Sequence, residues 1–378
     1  MAALKRSILP TPAAPVPVAR PRLPTREALT PYLDRIDEAR RYANAGPLVR
    51  ELEGRLAARL SESGSVATVA NHTQALTLAL KAAGAKAGTL CAMPAWTFVA
   101  SAHAAVAAGL TPYFIDVDPA TWMLDPARMA DVVAAAPGEV GAIMPVAVFG
   151  LTPHLPLWWA VGEATGLPVV VDGADAFDAL DCAPVPVAIS LHAQASVAAG
   201  EGGYVACEDE ALVERVRDFT TLGLPGDPVA AAPATNGMIS EYAAAVALAS
   251  LDAWPADRAR FGFAAQYLKV ALALTPQIEF QPGWGTSWFS SVCVVGTPKG
   301  AAPAIAKAMN RAGVEARGWW GGGCHTHPAF AACPREPLPV TDALAVSTLG
   351  LPYFIDLDEA DSWRIVDALL EALKVSDG

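Results

Sequence analysis

From Pro47 onward the chain alternates short, β-branched apolar runs with longer Ala- and Leu-rich segments at helical spacing, and that alternation limits the folds open to it. Strands separated by helices cannot pair as hairpins. They pair in parallel, with the helices crossing over the faces of the sheet. Seven runs read as strands, at 66–69, 90–93, 112–115, 142–145, 168–171, 187–190 and 203–206, with helical stretches at 73–83, 98–108 and 126–135 among them. The helix at 126–135 opens on Asp125 and Pro126, an N-cap followed by proline at the first helical position. Several strands are apolar throughout, as expected where both faces of a parallel sheet are covered. After Leu251 the texture changes to a long helical run at 256–274, a Gly/Trp/Pro-rich stretch and an amphipathic helix at 359–373. The expected organisation is a large α/β domain at 30–250 and a smaller C-terminal α+β domain at 251–378. A Pro-rich arm at 1–29 is expected to lie extended against the rest.

Composition narrows the function. With 53% hydrophobic and 17% charged residues in 378, the chain is long and apolar enough to bury a sizeable core. Its 26 basic and 38 acidic residues leave a net charge of -12, which argues against an extended phosphate-binding surface and against nucleic acid as a partner. Six scattered cysteines in so long a chain suit a reducing, cytoplasmic compartment. The N-terminus lacks the apolar core of a signal peptide, and no apolar run approaches the ~20 residues that span a bilayer, so no membrane is expected. Lysine is scarce, seven in all, and none falls between Lys86 and Lys269.

Ligands of open parallel sheets bind beyond the carboxyl ends of the strands, so the residues following each strand carry most information. After the first strand comes Asn71-His72-Thr73, opening a helix; these polar groups suit helix capping, or a phosphate on the free N–H groups. Trp96 follows the second strand, placed either to lie against a flat ligand or to join the core. Asp172 ends an all-apolar strand, just before Asp175. A carboxylate there needs a donor, which a cofactor ring nitrogen or a helix start could supply. After the sixth strand, Ser190 can donate to an anion, and an irregular loop with His192, Ala195 and Gly200-Glu201-Gly202-Gly203 returns the chain to the sheet. Near the C-terminus, Cys324-His325-Thr326-His327 and Cys333 are of metal-ligand type but lack paired spacing, so no metal is expected. His103 reads as a helix residue, and Trp158-Trp159 as a pair that packs a helix onto the sheet.

Taken in order, these segments resemble the DegT/DnrJ/StrS family of sugar-nucleotide aminotransferases, which have the fold type I architecture of pyridoxal-phosphate enzymes. The resemblance runs from 46–48 through 93–100, 114–119, 171–176, 200–203 and 236–241 to 351–352. It implies a mainly parallel seven-stranded sheet and a homodimer with a shared active site. It also implies a cofactor site in which Trp96 stacks on the pyridine ring, Asp172, in its motif with Asp175, pairs with the ring nitrogen, and Ser190 holds the phosphate. Asn236 would reach the phosphate from the neighbouring subunit. Of the family's Ser-Gly-Thr phosphate turn only Thr73 is retained, and the glycine is replaced by His72, whose bulk obstructs the usual phosphate approach. Arg317, Trp319 and His325 fall where the family places substrate contacts of the small domain.

The resemblance requires a lysine five residues after Ser190 and eight before Gly203, and Ala195 stands there. A methyl group can neither form a Schiff base nor shuttle a proton, and His192, three residues earlier, is the one nearby base. The expectation is therefore a divergent, lysine-less paralogue in polysaccharide or deoxysugar biosynthesis. It would bind a sugar nucleotide, and pyridoxal or pyridoxamine phosphate without a covalent link. Alternatives are a Lys-to-Ala variant of an ordinary keto-sugar aminotransferase, a sugar dehydratase, which would need a base at 195, and a non-catalytic ligand-binding or regulatory dimer partner.

Overall fold

The structure is a computed structural model describing residues 14–61, 63–224, 229–230 and 233–376. The apolar runs of the N-terminal two thirds form strands β1 (Ser65–Val69), β2 (Leu90–Pro94), β3 (Thr111–Ile115), β4 (Val140–Ile143), β5 (Val171–Asp172), β6 (Val187–Ser190) and β7 (Gly203–Cys207). Ladders join β3-β2-β4 and β5-β6-β7-β1. Parallel bridges Ile143–Val169 and Val146–Asp172 carry the sheet across from β4 to β5. The strand order is thus 3-2-4-5-6-7-1, parallel except for β7, which runs antiparallel to both β6 and β1. β5 is shorter than the apolar run 168–171 and displaced toward Asp172. Pro168 has no N–H to donate, and the run meets its neighbour through isolated bonds, Ile143 N to Pro168 O and Val170 N to Ile143 O.

Helix His72–Ala82 crosses the sheet with Ala75 to Leu80 and Ala82 all buried, which explains its almost unbroken apolar sequence. It packs on helices Val99–Ala107 and Glu210–Thr220 and on β6 and β7. The 126–135 segment begins as a turn of 3₁₀ helix, Pro126–Arg128, before becoming the α-helix Met129–Ala135. Only half of the Trp158-Trp159 pair packs inward: Trp158 is buried and Trp159 is exposed, as neighbouring helix positions point apart.

The long helix runs from Glu241 to Ala271, fifteen residues longer at its start than the 256–274 run suggested. Pro255 lies inside it: proline removes one backbone donor, but the helix continues through it, buried along Ala244 to Leu251. Beyond it β8 (Glu279–Phe280), β9 (Cys293–Gly296) and β10 (Thr348–Leu351) form an antiparallel sheet in the order β10-β9-β8; helix Ala302–Arg311 packs on β10, and helix Glu359–Ser376 packs on that helix and on the long one. The described part of the N-terminal segment lies against this region, Val16 bridging Val314, and turns helical at Arg26 behind the Thr25 cap.

Candidate active site

The strand ends of β1, β2, β5 and β6 converge, and the helix after β1 determines what meets there. Asn71 caps that helix, its Oδ1 accepting the Gln74 N–H at 2.9 Å, so the capping role foreseen for it is the one it performs. His72 is therefore the first helical residue. The turn at 200–203 fixes its backbone: a Cβ on Gly203 would lie 2.9 Å from the His72 nitrogen, so only glycine permits this approach.

From this position the His72 imidazole reaches the end of β5 and sets Nε2 3.1 Å from Asp172 Oδ1. The N–H is not squarely aimed at the oxygen, so the contact is an ion pair rather than a well-aligned hydrogen bond. Asp172 Oδ1 also accepts the Ala174 N–H at 3.2 Å, and Oδ2 accepts the Ser101 hydroxyl at 2.6 Å. Ser101 is in turn hydrogen-bonded to Thr97 at 2.7 Å, one helical turn away. Burial alone would drive both charges toward neutrality. The mutual attraction outweighs it, so the imidazole is held above its ordinary value and the Asp172 carboxyl below its own, with the hydroxyl and backbone donors helping the latter. Asp175, behind it, is pushed up to about 6, by burial first and by the Asp172 charge, against the pull of His72 and His192.

His72, Thr73 and Ser190 open onto a cleft of about 950 Å³, along with Gln74, Lys81, His192 and Glu201. Ser190 accepts the His192 N–H through its hydroxyl at 3.1 Å, and the His192 ring lies 3.6 Å from Glu201, both largely exposed. Asn236 is exposed on a segment bridged to Thr221, and its neighbour Thr235 reaches the cleft wall. Ala195 sits in the loop after β6, its N–H donating to the His192 carbonyl at 2.8 Å. It lines a separate cavity of about 40 Å³ with Arg20, Arg22 and Asp257.

The remaining sequence candidates gather elsewhere. Trp96 is fully buried, with Trp320 edge-on to it at 5.3 Å and Phe149 stacked on Trp320 at 4.1 Å. Arg317 lies over the Trp319 ring at 4.3 Å, and His325, 3.4 Å from Asp342, is held below its ordinary value by burial first. These three residues lie outside the lining of the large cleft. His103 is exposed and meets the edge of Phe330. Among the described residues no group of three or more His, Cys, Asp or Glu side chains could hold a metal ion.

Sequence reasoning missed the Thr97–Ser101–Asp172–His72 chain. The i, i+4 spacing of two hydroxyls at a helix start was a signal for half of it, but nothing local ties residue 72 to residue 172.

The sequence model of the DegT/DnrJ/EryC1/StrS aminotransferase family matches residues 25–370, and the chain belongs to that family. It is 29% identical over 374 residues to Protein Rv3402c of Mycobacterium tuberculosis (strain ATCC 25618 / H37Rv), covering 94% of this chain and 90% of that one. It is 31% identical over 244 residues to dTDP-4-amino-4,6-dideoxy-D-glucose transaminase of Shigella dysenteriae, covering 63% of this chain and 65% of that one. A solved structure of DesI in the presence of its TDP-sugar product superposes with a TM-score of 0.85 at 30% identity, over 96% of this chain and 94% of that one. The fold type I architecture is shared as well with a Bacillus cereus ATCC 10987 structure assigned to the PLP-dependent aminotransferases. That match has a TM-score of 0.87 at 24% identity, over 94% of this chain and 99% of that one.

Proposed function

We propose that this protein is a lysine-less member of the sugar aminotransferase family, in polysaccharide or deoxysugar biosynthesis, that takes a sugar nucleotide and does not carry out ordinary transamination. The observation that carries the reading is Ala195: five residues past the end of β6, where the family resemblance calls for an amine, the loop offers a methyl group. Transamination needs that amine to form and release the cofactor link and to move a proton at the substrate carbon. His192 lies on the same loop, but its ring is directed to Glu201.

Pyridoxal or pyridoxamine phosphate, the group that would supply the electron sink, can be held here only without a covalent link. The described residues fit its ring poorly. Both Asp172 oxygens are already engaged, and Trp96 presents no open face for stacking. What these residues can do is bind: Ser190, Thr73 and the helix start behind Asn71 offer donors for a phosphate, and Lys81 adds a cation on the same cleft. The Arg317 and Trp319 pair, with His325, would contact the sugar nucleotide from the small domain. By the same resemblance the protein works as a cytoplasmic homodimer with Asn236 reaching a neighbouring site. No helix among the described residues is long and apolar enough to cross a membrane, and all six cysteines are free.

The test incubates the protein with glutamate, pyridoxal phosphate and a nucleotide-linked 4-keto sugar, follows amino-sugar formation by mass spectrometry, and records melting curves with the sugar nucleotide alone. A raised melting temperature without amino-sugar product is expected. Turnover at rates ordinary for the family would overturn the reading.

A further inference from the structure

The His72–Asp172 pair does more than satisfy a buried acid. In the family resemblance Asp172 is the partner of a protonated ring nitrogen, a flat heteroaromatic cation. The imidazole of His72 is also a flat heteroaromatic ring with an N–H to offer, and it stands on that same carboxylate at 3.1 Å. We infer that His72 is a built-in occupant of the cofactor seat, an imidazole from the chain itself that excludes a pyridine ring from Asp172. This rests on the proposed reading of the site as one descended from a cofactor pocket.

Three features make the occupancy durable. Both carboxylate oxygens are already engaged: Oδ1 takes His72 and the Ala174 N–H, and Oδ2 takes Ser101, itself held by Thr97. A pyridinium would have to approach Oδ1 at ~2.8 Å, inside the volume of the imidazole. Next, the His72 backbone cannot retreat, because Asn71 caps the helix on one side and Gly203 closes against it on the other. Only a side-chain rotation into the cleft would clear the seat, and it would strand the Asp172 charge in a buried position. Finally, Trp96 offers no exposed face on which a ring could stack: it is fully buried, with Trp320 edge-on to it. A seat blocked in this way leaves the cleft outside it open: the donors at Thr73, Ser190 and Lys81 all line the cleft.

The test is binding of pyridoxamine phosphate, which needs no lysine, by calorimetry on the full-length protein. His72→Gly is expected to bind it at least about tenfold more tightly than the wild type, and Asp172→Asn added to His72→Gly is expected to abolish that gain. His72→Ala, which keeps a good helix former at the first helical position, guards against misfolding of the glycine variant and is expected to behave alike. In the wild type, the imidazole ¹⁵N signals of His72 should not move when pyridoxamine phosphate is added at millimolar concentration. Tight wild-type binding, displacement of the His72 signals, or no gain in either variant overturns the inference. The lysine reading is tested apart from it. A195K combined with His72→Gly should form a borohydride-stable adduct with pyridoxal phosphate at position 195. Failure of that adduct, with the tighter pyridoxamine phosphate binding of His72→Gly intact, would sink the placement of Ala195 and leave the role of His72 standing.

Discussion

Asp172 sits at 4% exposure with a full negative charge, and such a charge persists only if something local compensates it. His72 supplies most of that compensation, so Asp172→Asn should destabilise the fold. Breaking a buried ion pair costs about 3–5 kcal/mol, and because an orphaned imidazole can shed its proton we expect about 2 kcal/mol, measured by urea unfolding near neutral pH. The pH dependence follows from the two shifts. The raised His72 value adds stability that is complete below about 6.5 and fades as pH rises through the folded value. The lowered Asp172 value adds stability present above about 4 and lost as pH falls through its folded value. The gap between wild type and Asp172→Asn should therefore be widest between those limits and close on both sides. Asp175 works in the opposite sense. Its folded value of about 6 exceeds the ordinary 3.8, so its burial begins to weaken the fold near pH 4 and does so fully above 6. Asp175→Asn should be neutral at pH 3.5 and stabilising at pH 7, by up to about 3 kcal/mol from the shift and nearer ~1 kcal/mol given its partial exposure. Equal melting temperatures for that variant and the wild type at pH 7 would contradict the assignment.

Helix starts organise much of what surrounds the site, and they differ in how much the sequence reveals of them. The helix Pro47–Ala57 has no capping side chain of its own; Glu241, far away in the chain, accepts the Leu48 and Val49 N–H groups at 2.8 and 2.9 Å. A Cβ on Gly46 would lie 2.6 Å from the Glu241 carboxyl carbon, so the glycine is what lets the acid in. Glu241→Ala should cost about 2 kcal/mol by orphaning two buried donors, and Gly46→Ala about as much by pushing the carboxylate out. Chemical denaturation of both singles and the double variant tests this, and the two losses should fall well short of additive. Local caps such as Asp125 were legible in sequence because donor and acceptor lie within three residues of each other. The Glu241 cap was not, since only the folded chain joins residues 46–49 to 241. The same reasoning separates what could be read of the site. The strand ends, and with them Asp172 and Ser190, were legible because an apolar run stops there. The meeting of His72 with Asp172 and the covering of Trp96 by Trp320 were not, because each depends on how elements pack across the sheet. The long helix was read too short because Pro255 is a local stop signal that burial along Ala244 to Leu251 overrides.

At the scale of the whole molecule, the question is what holds the C-terminal segments over the strand ends, since Trp320 closes Trp96 only while they stay there. Phe114 of β3 exchanges backbone bonds with Pro334 and Glu336, which extends the sheet edge by one bridge, and Cys324 donates to the Ala95 carbonyl after β2. Asp116 does the most. Buried just past the end of β3, it accepts the Val340 and Thr341 N–H groups and the Thr341 hydroxyl, each at 2.8 Å, and so caps the helix Pro339–Ser347 from another part of the fold. Its own N–H donates to Glu336, which also pairs with Arg128. An acid that caps a helix at two backbone donors, one of them buried, is worth about 2 kcal/mol, and its loss falls where the two regions meet. Asp116→Ala should therefore speed hydrogen exchange at Val340 and Thr341 far more than at Leu48 and Val49, while Asp116→Asn, which keeps one acceptor, should do so by less. Because Trp320 rides on the released segment, Asp116→Ala should also let a neutral quencher reach more of the tryptophan fluorescence. Uniform acceleration of exchange across the chain would show that Asp116 supports global stability instead of latching these segments to the strand ends.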